Sequence, residues 1–270
     1  MTDWLATCRL CVADIRDVLE RLPTRVEREP VLRRGEGGDD TTAIDQAAED
    51  AVVARLVALE EDFVLLSEEL GERTFGSGGA LRVVVDPIDG SVNAKRGIPF
   101  FSFSLAVADG PTMGDVFFGY VHDFGTGEEW TADRGKGAFL QGNPLGSVAP
   151  KDRIEILSFE GTTASAIAER IPSILGFVDR VRVMGSLALS LCHLADGRVD
   201  AVCSLKEARS VDIAAAQLLV RERGLAIELF EDPPFTSAPL DLVTRSRVAA
   251  AASPELVAAL GSALRKTGIR

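Results

Sequence analysis

The stretch "VVVDPIDGSVNAKRGIPFF", residues 83–101, places two carboxylates at the end of an apolar run. Val83 to Val85 read as a strand, and an unbroken apolar run of this kind suits a strand covered on both faces. Asp86 and Asp89 follow, three residues apart, with Pro87 between them. Asp-Pro favours a turn, and proline stiffens the gap. Gly90 and Ser91 then expose backbone amides, as an anion-binding turn does.

Outward from this motif, the pattern is globular. Residues 3–22 carry apolar positions at helical spacing, and a second helix is expected over 44–59. Residues 62–66, 81–85, 100–108, 115–121 and 128–132 read as strands, with a turn at Gly142-Asn143. The glycine-rich 33–42 segment reads as a mobile loop. After Pro150, strands at "IEILSF", "RVRVM" and "VDAVC" alternate with helices over 162–170, at "GSLALSLCHLADG" and over 211–224, and a last helix spans 253–265. This alternation implies an α/β half with a mixed sheet behind an antiparallel meander. The expected division is 1–148, an N-terminal α+β half carrying most of the acidic positions, and 149–270, a C-terminal α/β half carrying Asp212.

Composition narrows the function. The 270 residues are 46% hydrophobic with a formal net charge of −12, which suits a folded chain and argues against nucleic acid or an anionic membrane as partner. No stretch reaches the roughly 18 apolar residues of a membrane span, and the N-terminus lacks a basic start and a cleavage site. The four cysteines include a Cys8-x-x-Cys11 without a second pair at zinc spacing. They are expected to be core thiols in a reducing, cytoplasmic setting.

Acidic residues recur at element ends. Glu68 and Glu69 follow the 62–66 strand, Asp86 and Asp89 follow the next, Asp212 opens a helix, and Asp39 and Asp45 flank the start of the second helix. Singly, each has a structural use as a cap or turn residue. Gathered, they need cations, because two carboxylates 4 Å apart repel by roughly 4 kcal/mol at an effective dielectric near 20. Oxygen ligands without histidine or cysteine suit Mg²⁺ or Mn²⁺ over Zn²⁺. His122 and His193 lack a nucleophile at base spacing and are expected to be structural.

Five collinear segments, "GDDTTAID", "LLSEELG", "DPIDGSVNAKRGIPFF", "GSLALSLCHLADGRVDAV" and "RSVDIAAAQLLVRERG", resemble the motifs of the inositol monophosphatase family, in the wording of its archaeal-type inositol monophosphatase/fructose-1,6-bisphosphatase members. The resemblance implies a layered αβαβα sandwich and a Mg²⁺-dependent phosphomonoesterase using a metal-activated water, with two or three ions per site. By the same resemblance, Glu68, Asp86 and the Ile88 carbonyl hold one metal. Asp86, Asp89 and Asp212 hold a second, and Glu68 helps a third. Asp45 and Ser91 orient the nucleophilic water, the Gly90 and Ser91 amides bind phosphate beside Asp89, and Gly185 and Ser186 line the ring of the substrate. Ser204 stands where many relatives place an acid that contacts inositol hydroxyls, which weakens strict inositol specificity. Arg180, Arg182, Arg209, Lys95, Arg96 and Lys206 are candidates for a second phosphate. A homodimer is expected. The expected substrates are inositol 1-phosphate and fructose 1,6-bisphosphate. The alternatives are 3'-phosphoadenosine 5'-phosphate, histidinol phosphate, or a non-catalytic regulator that binds metal or phosphosugar.

Overall fold

The computed structural model describes residues 2–36, 40–149, 151–160, 163–230 and 234–265. The chain opens with α1 (Trp4–Arg21), a short α2 (Arg25–Arg28), the paired strands β1 (Val31–Arg34) and β2 (Asp40–Thr42), and α3 (Ala43–Val57). Next come β3 (Phe63–Ser67), β4 (Gly71–Phe75), β5 (Arg82–Asp89), the six-residue α4 (Ser91–Arg96), β6 (Ser102–Ala108), β7 (Val116–Asp123), β8 (Glu129–Asp133), β9 (Gly137–Leu140) and β10 (Asn143–Pro144). The remainder is β11 (Ile154–Glu160), α5 (Ala164–Ile174), β12 (Val178–Arg182), α6 (Leu187–Ala195), β13 (Ala201–Ser204), α7 (Ser210–Glu222), β14 (Ala226–Leu229), β15 (Val248–Ala251) and α8 (Pro254–Arg265).

Five layers follow from which faces are apolar. Val83 and Val85 of β5 face a core made with Trp4, Cys8, Cys11 and Ile15 of α1 and Ile44 and Val52 of α3. Val84, between them, faces the opposite core, made with α6 and α7. The continuous valine run is thus explained by burial on both faces. The first sheet has the order β10-β9-β8-β7-β6-β5-β3-β4, and the second the order β12-β11-β13-β15-β14. α6 is apolar nearly all round because it lies between the two sheets with α7. α5 and α8 cover the outer face of the second sheet. The result is the expected αβαβα sandwich. The first sheet ends at Pro144 and the second begins at Ile154, yet α6 and α7 cover the first sheet, so both halves share the central core.

Close approach of α7 to the sheet depends on small residues. A Cβ at Gly119 of β7 would lie 2.6 Å from the Ala215 carbonyl oxygen. Only glycine there lets α7, which carries Asp212, settle on the sheet.

Some expectations need correcting. The hairpin turn lies at Gln141-Gly142, both at positive φ (52° and 74°), while Asn143 pairs with Leu140. Positive φ at both central residues is what a two-residue primed turn requires. β4, β14 and β15 were not anticipated. Within 33–42, the described residues include parts of two antiparallel strands, and Asp39 lies outside the described residues, as does the expected start of α5 at residue 162. All four cysteines are free and buried. His122 packs on Phe124 with Arg16 Nη2 at 3.1 Å, and His193 packs against Phe100 and Trp130. Among the described residues, no helix is long and apolar enough to cross a membrane.

Candidate active site

Strand register brings the first two carboxylates together. β3 and β5 are parallel neighbours, with Ser67 opposite Val85. Glu68 is the first residue past β3, and Asp86 is the next residue of β5, still paired with Ser104 of β6, so the two lie side by side at the sheet end. Asp212 arrives from the other side, on the first turn of α7, where a carboxylate is favoured by the helix dipole and accepts the Arg209 amide at 2.7 Å. One oxygen each of Glu68, Asp86 and Asp212 lies within 4.8 Å of the others.

Pro87 and Ile88 fall where the β5–β6 register shifts, between Asp86 and Asp89. The Ile88 amide donates to Asp86 Oδ1 at 3.0 Å, closing a small turn. The Ile88 carbonyl accepts from Ser91 Oγ at 3.1 Å. Asp89 faces the second half of the chain: its Oδ2 accepts from Ser186 Oγ at 2.5 Å and from the Ala188 amide at 2.8 Å. Gly90 then adopts φ 97° and opens α4, its carbonyl accepting from the Asn93 and Ala94 amides at 2.8 and 3.0 Å. A Cβ on Gly90 would meet the Gly185 oxygen at 3.0 Å and the Phe100 oxygen at 3.2 Å.

Burial sets the electrostatics. It pushes the Asp86 carboxyl well above its ordinary range, with Glu68, Asp89 and Asp212 adding repulsion. It raises Glu68 to about 8 against the opposing pull of Arg209, and Asp89 to about 7 against its hydrogen bond from Ser186. Such a cluster favours protons or cations. Its donors are all oxygen, which fits a hard divalent ion. Asp45 lines the same small cavity as Glu68, Asp86, Ile88 and Ser91. Its Oδ2 accepts from the Thr42 amide and hydroxyl, whereas its Oδ1 is buried with no hydrogen-bond partner among the described residues. A buried orphan oxygen on a residue that lines such a cavity fits an ordered water or a hydrated ion.

A second cavity, of about 150 Å³, adjoins the cluster and is lined by Asp89, Gly185, Ser204, Lys206, Arg209, Asp212 and Arg245, among others. Ser204 is buried there, its hydroxyl donating to the Lys206 carbonyl. Arg209 turns inward, onto Glu68 at 2.6 Å. Arg180 is not brought to this site. It lies on the edge strand β12 opposite Ile156, four residues before the site end of β11 and thus roughly 13 Å back along the strand, and it pairs with Glu155 at 2.8 Å. It lines a different cavity, with Lys151 and Asp179.

Sequence reasoning missed two contributors, Glu160 and Asn93, and gave Glu69, which it had placed in the acidic set, no anchoring role. Glu160, at the end of β11, is wholly buried and accepts from Ser158 Oγ, Ser190 Oγ and the amides of Met184 and Gly185. Asn93 Nδ2 donates to the carbonyls of Met184 and Phe100, both at 2.7 Å. Together they clamp the 184–186 strap that presents Ser186 to Asp89. Glu69, beside Glu68, takes a hydrogen bond from Thr41 Oγ1, and its carbonyl takes one from Arg33, tying the β1–β2 hairpin to the cluster. Glu160→Gln is expected to lower kcat about tenfold, since an amide cannot accept from donors at both of its ends and loses a charged hydrogen bond of roughly 1.5–3 kcal/mol. Steady-state kinetics check it, and unchanged kcat would show that the strap holds without the carboxylate.

Comparison with known proteins agrees with this geometry. The model of the inositol monophosphatase family matches residues 8–267. The chain is 37% identical over 206 residues to a fructose-1,6-bisphosphatase/inositol-1-monophosphatase of Methanothermobacter thermautotrophicus, covering 72% of each chain. It is 31% identical over 252 residues to the protein of that name from Archaeoglobus fulgidus, covering 92% of this chain and 93% of the other. A crystal structure titled as an inositol monophosphatase-fructose 1,6 bisphosphatase superposes with a TM-score of 0.84 at 26% identity, over 97% of this chain and all of that one. A family match across nearly the whole length, on a fold whose element ends gather the motif carboxylates, leaves one assignment: the chain belongs to the inositol monophosphatase family.

Proposed function

We propose that this phosphatase releases inorganic phosphate from small sugar and cyclitol phosphates at the Glu68–Asp86–Asp212 cluster, with Mg²⁺ as the ion and Mn²⁺ as its substitute. The observation that carries the reading is the approach of those three carboxylates within 4.8 Å, beside the buried unpartnered oxygen of Asp45. Glu68, Asp86 and the Ile88 carbonyl would hold one ion, and Asp86, Asp89 and Asp212 another. When bound, a divalent cation supplies charge for the transferring phosphoryl group and acidifies its water.

The protein's own groups do the rest by positioning. Asp45 and Ser91 line one cavity, and Asp45 Oδ1 and Ser91 Oγ are proposed to orient the attacking water between them. The Gly90 and Ser91 amides would donate to the phosphate, which needs backbone at close range and hence glycine at φ 97°. Gly185 and Ser186 would face the sugar ring, with Ser186 also holding Asp89.

Substrate breadth follows from where the grip lies. The reacting phosphate takes most of the contacts, so transition-state stabilisation depends little on the leaving group. Ser204 asks for fewer matched hydroxyls than a carboxylate does. Lys206, Arg209 and Arg245 line the adjoining cavity and favour a second anionic substituent. The Methanothermobacter and Archaeoglobus relatives carry both activities in their names. Inositol 1-phosphate and fructose 1,6-bisphosphate are therefore the proposed substrates.

Phosphate release tests this on a panel of those two with 3'-phosphoadenosine 5'-phosphate and histidinol phosphate, with Mg²⁺ and with chelator. Both proposed substrates are expected to turn over, with kcat/KM values within roughly 10⁴ of each other, about 5.5 kcal/mol. A larger ratio would reveal a dedicated pocket, and no release from either would remove the substrate reading. A homodimer is proposed as well, and light scattering should return twice the 28.8 kDa of one chain.

A further inference from the structure

Arg209 is placed unlike a surface charge. It is 6% exposed, at the N-cap of α7. Its Nη2 lies 2.6 Å from Glu68 Oε1 and 3.2 Å from Asp212 Oδ1, and its Nε lies 3.4 Å from Asp212 Oδ2. A guanidinium keeps its charge in proteins, and here it is held between two carboxylates. The side chain therefore bridges β3 to α7 by touching two of the three carboxylates that converge.

That contact has a consequence for any cation in the cluster. A fixed positive charge on Glu68 and Asp212 repels a divalent ion between the same groups and occupies lone pairs the ion would use. The arginine also has somewhere to go, because it borders the 150 Å³ cavity shared with Ser204, Lys206 and Arg245. Yet the same contact admits the opposite role: a guanidinium can hold two carboxylates in place for a metal. The two roles differ in the sign of what its removal does.

We propose that Arg209 is an internal counter-cation that competes with the divalent ion, holding the acidic cluster together when the ion is scarce and weakening its binding. The inference rests on reading the cluster as the metal site.

The test is Mn²⁺ binding to the full chain by calorimetry at pH 8, for wild type, Arg209→Gln and Arg209→Lys, with thermal melts in chelator. Arg209→Gln is expected to bind Mn²⁺ about tenfold more tightly and to melt lower in chelator. Arg209→Lys keeps the charge but loses the planar fork, and is expected to fall between them. Unchanged or weaker Mn²⁺ binding in Arg209→Gln overturns the inference. Should that variant fail to fold, the lysine variant decides alone: tighter binding than wild type supports the inference, and equal or weaker binding overturns it. Wild-type protein that binds no Mn²⁺ at all overturns the metal-site reading and this inference with it. Measurable binding of unchanged affinity overturns this inference only.

Discussion

Asp86→Asn is expected to lower kcat/KM for phosphate release by at least about 10³-fold, roughly 4 kcal/mol of transition-state stabilisation, while the protein stays folded. Asp86 is 3% exposed, and one of its oxygens lies within 4.8 Å of one from Glu68, just past the neighbouring strand, and one from Asp212 on α7. Burial, and then repulsion from Glu68, Asp89 and Asp212, works against its charge. Asparagine keeps the shape and the acceptor for the Ile88 amide but removes that charge. The melting temperature in chelator should therefore stay level or rise while activity collapses. Phosphate release at saturating Mg²⁺, measured beside a thermal melt, checks both halves. Activity within tenfold of wild type would show that Asp86 does not hold an essential ion.

Stability should depend on pH and metal together. Burial raises Glu68 to about 8 and Asp89 to about 7, whereas in the unfolded chain such groups ionise near pH 4. Between roughly pH 4 and 8 the folded chain keeps protons that the unfolded chain has lost. The contribution of these groups is thus fully present below about pH 4 and falls away as pH rises through 7 and 8. A divalent ion needs the ionised ligands, so its stabilising effect grows over the same window. In chelator the protein is expected to melt progressively lower from pH 5 to pH 8. Mg²⁺ at about 100 times its Kd should restore about 2.7 kcal/mol at pH 8, a rise of roughly 5–10 °C for a chain of this size, and little at pH 5. Scanning fluorimetry at the two pH values decides it, and equal shifts at both would contradict the electrostatic account.

Much of this site was legible because its residues sit at element ends that the sequence marks plainly. A valine run ending in Asp-Pro-Ile-Asp-Gly announces a strand, a turn and a backbone opening in that order. Glu68 was legible for the same reason, one residue past an apolar strand. Glu160 was hidden because a glutamate closing a strand is ordinary in sequence. Only the fold brings Ser158, Ser190 and the 184–185 amides around it. Arg180 misled because it precedes Gly185 by five residues, yet the extended edge strand carries it away from the site. β15 was missed because "VAAA" has little strand propensity and forms through its pairing with β13 and β14. The β1–β2 hairpin was missed because its strands are short and exposed in part, and its anchoring comes through Glu69, 27 residues after Thr42.

The central claim is that Glu68, Asp86 and Asp212 form a divalent-metal site, and anomalous scattering from crystals grown with Mn²⁺ tests it most directly. The account predicts anomalous density among those carboxylates, with metal–oxygen distances of roughly 2.1 Å, near the octahedral bond length of a Mg²⁺-sized ion. Fully active protein whose crystals show no anomalous density in the cluster, with Arg209 still bridging Glu68 and Asp212 at saturating Mn²⁺, would contradict it.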